Sequence, residues 1–192
     1  RNSKNKIGMH FFSSDTNEDY VKAKDDITNY KVGPFTFGTV PGTNFERSII
    51  IDTEKVSFDS KFKPTTTAYL FSNAMSSSGM STVYGFINLK NIENITNLDT
   101  SDVTSMASMF AYCSSLTTLD LSSFDTSKVT NMDRMFNCAY SSWFDGTTRE
   151  YFGSLKNINL SSFNTSNVTI MDSMFSRQVL LPTIDISSFD TQ

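Results

Sequence analysis

The densest group of side chains able to recognise a partner lies within residues 137–154, where Tyr140, Trp143, Phe144, Tyr151 and Phe152 are interspersed with Asp145, Arg149 and Glu150. Aromatic rings offer large contact areas and anchor protein or sugar ligands when they stand on an exposed loop. Loops of this length without a framework of their own are disproportionately functional. The same rings also suit a loop that folds onto its support as a private mini-core, and the sequence leaves both readings open. Tyr140, Trp143, Phe144, Asp145, Arg149, Tyr151 and Phe152 are therefore the candidate binding residues.

No comparable set points to catalysis. His10 is the single histidine and has no cysteine or acidic cluster at metal-ligand spacing around it. The many serines include none in a Gly-x-Ser-x-Gly context beside a usable base. Asp99, Asp125, Asn164 and Asp190 recur once per repeat and supply oxygen ligands of the kind calcium needs, but one per coil is a sparse donor set. Their ordinary use is to close turns by bonding nearby backbone N–H groups. Cys113 and Cys138 are 25 positions apart, close to one repeat, yet Cys113 follows Phe110 by three residues and Cys138 follows Phe136 by two. Buried free thiols and a disulfide both remain open on that register. The expectation is a non-catalytic protein with no metal and no cofactor.

Composition sets the wider limits. Charged residues make up 19% and the formal net charge is −4, without a Lys/Arg cluster, which argues against a nucleic-acid partner. No stretch approaches the roughly 18 apolar residues of a membrane span. Opening on Arg1 and stopping at Thr191-Gln192 in mid-repeat, the sequence reads as a processed or engineered fragment, and the absence of a signal or anchor from it argues neither for nor against export.

These residues must be positioned by a repeat. Segments 98–110 (LDTSDVTSMASMF), 124–136 (FDTSKVTNMDRMF) and 163–175 (FNTSNVTIMDSMF) are three copies, and Phe189-Asp190-Thr191 begins a fourth. Asp99 to Asp125 and Asn164 to Asp190 are each 26 residues, whereas Asp125 to Asn164 is 39. The excess lies between Phe136 and Leu155, which are 19 apart where Phe110 and Leu116 are 6 apart. If Phe71 stands where Phe110 stands, Phe71 to Leu89 spans 18 and marks a second insertion holding the Ser76 to Gly79 run. Both insertions then leave the same corner of coils two steps apart, about 10 Å by ladder spacing, and flank a shallow cleft.

Leu116-x-x-Leu119-x-Leu121, Leu155-x-x-Ile158-x-Leu160 and Leu181-x-x-Ile184-x-Ile186 read as short strands. Their outward positions Thr118, Asp120, Asn157, Asn159, Thr183 and Asp185 suit a solvated polar surface, and in a second reading a binding face. The Val-Thr-x-Met-x-x-Met-Phe segment has apolar residues at i, i+3, i+6 and i+7, which predicts a helical turn or two, with the methionines as core fillers. One coil cannot bury its own apolar face but a stack can. Upstream, residues 48–51 and 56–59 read as two strands joined by a polar turn at Asp52 to Lys55, a β cap for the stack. Residues 1–32 are polar without a sustained period and read as extended or loosely packed. The expected fold is a leucine-rich-repeat-like solenoid. Its short parallel strands stack in a ladder with short helical or irregular return segments. Residues 1–47 are unplaced, 48–71 form the cap, and 72–192 form the repeats with insertions near 72–88 and 137–154.

Residues 110–116 (FAYCSSL), 119–124 (LDLSSF) and the three repeats resemble BspA-like leucine-rich surface proteins of bacteria, a group related to the mycoplasma lipoprotein 26-residue repeats. Segment 56–71 also resembles the cap that precedes such repeats. The resemblance implies export, a cell-surface or secreted location, no catalytic residues, and adhesion-like binding of a host or neighbouring-cell protein or glycan. This sequence departs from the pattern in its long insertions and in Arg177-Gln178-Val179, which replaces a Cys-x-Ser stretch. The expected function is a rigid repeat scaffold for protein or glycan binding; the alternative is a structural spacer with no ligand of its own.

Overall fold

The computed structural model describes residues 7–11, 29–31, 53–58, 61–77, 80–138, 140–144 and 147–190. In chain order the strands are β1 (Ile7–Phe11), β2 (Asn29–Lys31), β3 (Thr53–Phe58), β4 (Ser72–Ser77), β5 (Met80–Gly85), β6 (Asn91–Glu93), β7 (Thr118–Asp120), β8 (Tyr140–Phe144), β9 (Thr147–Tyr151) and β10 (Asn157–Asn159). β2, β1, β3 and β6 form a parallel sheet in that order, so the first strand lies inside the sheet. Two expectations change here. Thr53, Glu54 and Lys55 belong to β3 and not to a turn, because Lys55 pairs with Asn91 and Val56 with Ile92. Ile7–Phe11, within the stretch expected to be loose, is a paired strand; Ile7, Met9 and Phe11 carry the period-two pattern that marks one. Residues 48–52, the other half of the expected cap hairpin, lie outside the described residues.

From residue 61 onward, copies of the repeat are joined by parallel hydrogen bonds. Met106 N–H donates to Asn131 O at 2.9 Å, and Met132 N–H donates to Ile170 O at 2.8 Å. Phe71, Phe110 and Phe136 likewise donate to Met109, Met135 and Met174, all at 2.9 Å. β7 and β10 add Thr118 on Asn157, Leu119 on Ile158 and Asp120 on Asn159.

Two side-chain ladders, of threonine and phenylalanine, reinforce this backbone pairing, and a side-chain-closed turn recurs within each coil. Thr126, fully buried, donates its hydroxyl to Asn164 O at 2.9 Å and accepts Asn164 N–H at 2.8 Å. Thr100 does the same to Asp125, and Thr165 to Asp190. The acidic or amide residue beside each threonine closes a turn: Asp99, Asp125 and Asn164 accept the N–H of Ser101, Ser127 and Ser166. Finally Phe71, Phe110, Phe136 and Phe175 stack face to face, with successive centroids 5.1, 5.6 and 5.2 Å apart. The buried Val, Met, Leu and Phe of the coils merge with Val56 and Phe58 of β3 into one continuous core.

The Met-x-x-Met segments are not helical. Among the described residues the only helical element is a 3-10 turn at Ile95–Asn97. Tyr69, Ser108, Arg134 and Ser173, which occupy one ladder position, all have φ between 52° and 60°. A residue in the left-handed region ends any right-handed helix. The N–H groups a helix would keep for itself go instead to the next coil, as Ser108 to Asp133 O at 2.8 Å and Arg134 to Asp172 O at 2.9 Å. The coil-to-coil bonds win because each also aligns a buried methionine or phenylalanine with its counterpart.

Candidate functional site

Both insertions are antiparallel hairpins. β4 and β5 pair from Ser72 on Gly85 to Ser77 on Met80. β8 and β9 pair from Tyr140 on Tyr151 to Phe144 on Thr147. Phe71 leads into the first and Phe136 precedes the second, and both rings stack on Phe110 between them. The hairpins therefore leave one corner of coils two steps apart, about 10 Å along the ladder.

The second hairpin is set into the stack cleanly. Cys138 N–H donates to Ser176 O at 3.0 Å, and Gly153 N–H donates to Arg177 O at 3.0 Å. The chain thus leaves and re-enters on two consecutive rungs, with β8 and β9 between them. Within the hairpin, residues paired across the strands share a face and alternate pairs share the same face. That register places Tyr140, Tyr151, Ser142, Arg149, Phe144 and Thr147 on one face, with Ser141, Glu150, Trp143 and Thr148 on the other. Four of the seven candidate residues from the sequence thus share one face. Asp145 lies outside the described residues.

Phe152 marks the root of the hairpin and is 44% exposed. The Arg177 guanidinium sits 5.8 Å from its ring centroid, a cation–π distance. Val179 and Leu180, the next exposed residues along the coil, are 60% and 51% accessible. Arg177, Val179 and Leu180 were not candidates from sequence. The signal that finds them is the departure Arg177-Gln178-Val179 from the pattern of the inner coil. Gln178 supports this corner: its Nε2 donates to Phe136 O at 2.6 Å and to Cys138 Sγ at 3.5 Å. Gly153 leaves the room it needs, because a Cβ there would fall 1.9 Å from Gln178 Oε1.

Cys113 and Cys138 are buried free thiols. Cys113 Sγ donates to Phe71 O at 3.4 Å, toward the preceding coil, whereas Cys138 Sγ lies against Gln178 of the following coil. Burial pushes the Cys138 thiol up to about 11 against the opposing hydrogen bonds from Tyr112 and Gln178, and it raises Cys113 well above its ordinary value. Neither is a nucleophile at neutral pH.

The strand face carries a hollow of about 490 Å³ edged by Thr118, Asp120, Asn157, Asn159 and Asp185. Asp120 and Asp185 sit below the usual carboxylate range, chiefly because the Ser122 and Ser187 N–H groups bond them. These carboxylates close turns, and the hollow holds no aromatic anchor. Among the described residues no His, Cys, Asp and Glu group is arranged to hold a metal, and no helix is long and apolar enough to cross a membrane.

The geometry defines a repeat protein whose copies pair through parallel backbone bonds and whose corner carries two hairpins. Residues 78–192 match the family described as "Mycoplasma protein of unknown function, DUF285", and the chain belongs to that family. No curated protein and no solved structure matches it.

Proposed function

We propose that this chain is part of an exported bacterial cell-surface or secreted protein, with a BspA-like leucine-rich solenoid as a non-catalytic scaffold for adhesion-like binding of a protein or glycan. The observation that carries the reading is the β8–β9 hairpin, where one register-defined face collects Tyr140, Phe144, Arg149 and Tyr151, with exposed Phe152 at its root. Support for the solenoid comes from the threonine and phenylalanine ladders, which repeat one set of contacts from coil to coil. Such a stack is rigid enough to hold a hairpin in place without itself contacting the ligand. Membership of a family described from mycoplasmas agrees with a bacterial surface role.

Replacing residues 139–152 by one serine restores the six-residue spacing from Phe136 to Leu155 and removes the hairpin alone. Both forms are to be screened against a glycan array and a panel of purified extracellular-matrix proteins. The reading expects a ligand bound by the intact chain and lost from the shortened one. It also expects Tyr140→Ala/Phe144→Ala, on the face that carries the reading, to weaken that ligand. A ligand bound equally well without the hairpin would make the hairpin a packed mini-core, and no ligand for either form would make the chain a ligandless spacer.

A further inference from the structure

Coil positions can be matched by hydrogen bonds. Cys113 N–H bonds Phe110 O and Leu116 N–H bonds Cys113 O. Phe86 stands in the same relation to Phe71 and Leu89, and Gln178 to Phe175 and Leu181. Gly153 joins them, because its N–H donates to Arg177 O as Phe110 N–H donates to Met135 O, the residue before its counterpart Phe136. Phe86, Cys113, Gly153 and Gln178 therefore form one column of the stack. Phe86 and Gly153 are where the chain re-enters after β4–β5 and β8–β9. Cys113 and Gln178 lie in coils without an insertion, and the two kinds of coil alternate: Phe71 to Leu89 is 18 residues, Phe110 to Leu116 is 6, Phe136 to Leu155 is 19 and Phe175 to Leu181 is 6.

Each plain coil reaches back into the root of the hairpin before it. Cys113 Sγ donates to Phe71 O at 3.4 Å, and the backbone of Phe86 bonds the same sulfur. Gln178 Nε2 donates to Phe136 O at 2.6 Å and to Cys138 Sγ at 3.5 Å, and its amide lies against Gly153. Each side chain thus touches the arm by which the chain leaves and the residue on which it returns. Thiol and carboxamide differ in chemistry, yet the donor, the accepting phenylalanine carbonyl and the place in the coil are the same. Gln178 Oε1 is buried without a partner among the described residues, so packing alone would favour an apolar residue there. A two-stranded hairpin is marginal by itself, and β4 pairs with β5 alone and β8 with β9 alone among the described residues. We infer that Cys113 and Gln178 are positioning residues, each plugging the root of the preceding hairpin and fixing that hairpin to the stack. The unit of the array is then a pair of coils, one bearing a hairpin and the next holding its root. The plug acts whether or not a hairpin binds a ligand, so failure of the recognition proposed above would leave it standing.

Amide hydrogen exchange on the full chain, read by mass spectrometry over residues 72–85 and 140–151, tests this. Cys113→Val and Gln178→Met keep apolar bulk and remove the donor. Cys113→Val should speed exchange in 72–85 roughly fivefold or more and leave 140–151 unchanged, and Gln178→Met should do the converse. In both, residues 98–110 and 124–136 should exchange as in the parent. Cys113→Ser, which restores a donor for Phe71 O, should bring 72–85 back toward the parent rate. Where a size-matched variant does not fold, Cys113→Ala and Gln178→Ala repeat the comparison. Exchange unchanged in both hairpins, or raised equally in hairpins and coils, overturns the inference, since the contacts would then only fill space or stabilise the stack as a whole. Cys113→Ser as fast as Cys113→Val overturns it too, because the donor would not be what holds the root. So does a parent chain whose hairpins exchange as fast as free peptides.

Discussion

Thr126 is the point at which the stacking contacts can be weighed most directly. Its hydroxyl makes two bonds to one peptide group of the next coil, to Asn164 O at 2.9 Å and from Asn164 N–H at 2.8 Å, while its methyl is fully buried. Thr126→Val keeps the shape and removes both bonds, whereas Thr126→Ser keeps both bonds and removes the methyl. A hydrogen bond contributes about 1 kcal/mol net, and more where its partner is left unpaired. Asn164 is exposed, so water recovers part of that loss, and Thr126→Val is expected to cost about 2 kcal/mol. Thr126→Ser loses one buried methyl, about 1 kcal/mol. Urea unfolding followed by circular dichroism reads both. With a slope near 2 kcal/mol per molar, the valine variant should unfold about 1 M earlier at unchanged slope. Thr100→Val should match it, since Thr100 makes the same pair of bonds to Asp125. A valine variant as stable as the parent, or more stable than the serine variant, would refute the claim that the hydroxyl and not the methyl joins the coils.

Gly153→Ala should expel the Gln178 amide, since the new Cβ would lie 1.9 Å from its Oε1. Losing the bond to Phe136 O costs about 1 to 2 kcal/mol, and Gly153→Ala/Gln178→Ala should recover part of it in the same melts. Asp99 and Asp125 are held below the usual carboxylate range, first by the hydroxyls and then by the N–H groups of Ser101 and Ser127. Because the folded pKa is the lower one, their contribution is present above the unfolded value near about 3.9 and is lost as pH falls through the folded value. The melting temperature should therefore drop below about pH 4. Asp125→Asn, which keeps the accepting oxygen as Asn164 does, should flatten that drop; an unchanged profile speaks against the turn. Native Cys113 and Cys138 should resist an aromatic disulfide reagent at pH 8 and react on unfolding. Fast labelling of the folded chain contradicts the burial that lifts Cys138 to about 11.

What the sequence discloses depends on whether a contact recurs. Threonine in Asp-Thr-Ser and phenylalanine after Met-x-x-Met appear once per copy, so their ladders leave a periodic trace. The excess spacing from Phe136 to Leu155 reveals where a hairpin enters. The left-handed turn leaves no such trace. Tyr69, Ser108, Arg134 and Ser173 share it without sharing a chemistry, and no glycine marks it. The apolar period there suits a helix equally well, and only inter-coil hydrogen bonds decide against one. β1 was hidden for a related reason: its five residues pair with β2 and β3, which are distant in sequence. Of the candidate site, the aromatic cluster was legible in composition, while the pairing that puts Tyr140, Phe144, Arg149 and Tyr151 on one face needed the strand register.

The same register explains how a stack tolerates such large interruptions. A two-stranded hairpin is marginal by itself, but β8–β9 is closed at its root by bonds from Cys138 and Gly153 to adjacent rungs. Closing a longer loop between fixed ends adds little entropic cost, since the penalty grows only logarithmically with length. Stability then resides in the buried Val, Met, Phe and Thr of the coils. A sequence under this division of labour can change its hairpin without disturbing the ladder. It has less freedom at Gly153 and Gln178, where the hairpin root meets the stack. If the proposed recognition holds, substitutions in the strands of the hairpin should alter binding at constant melting temperature, and substitutions at its root should alter both together.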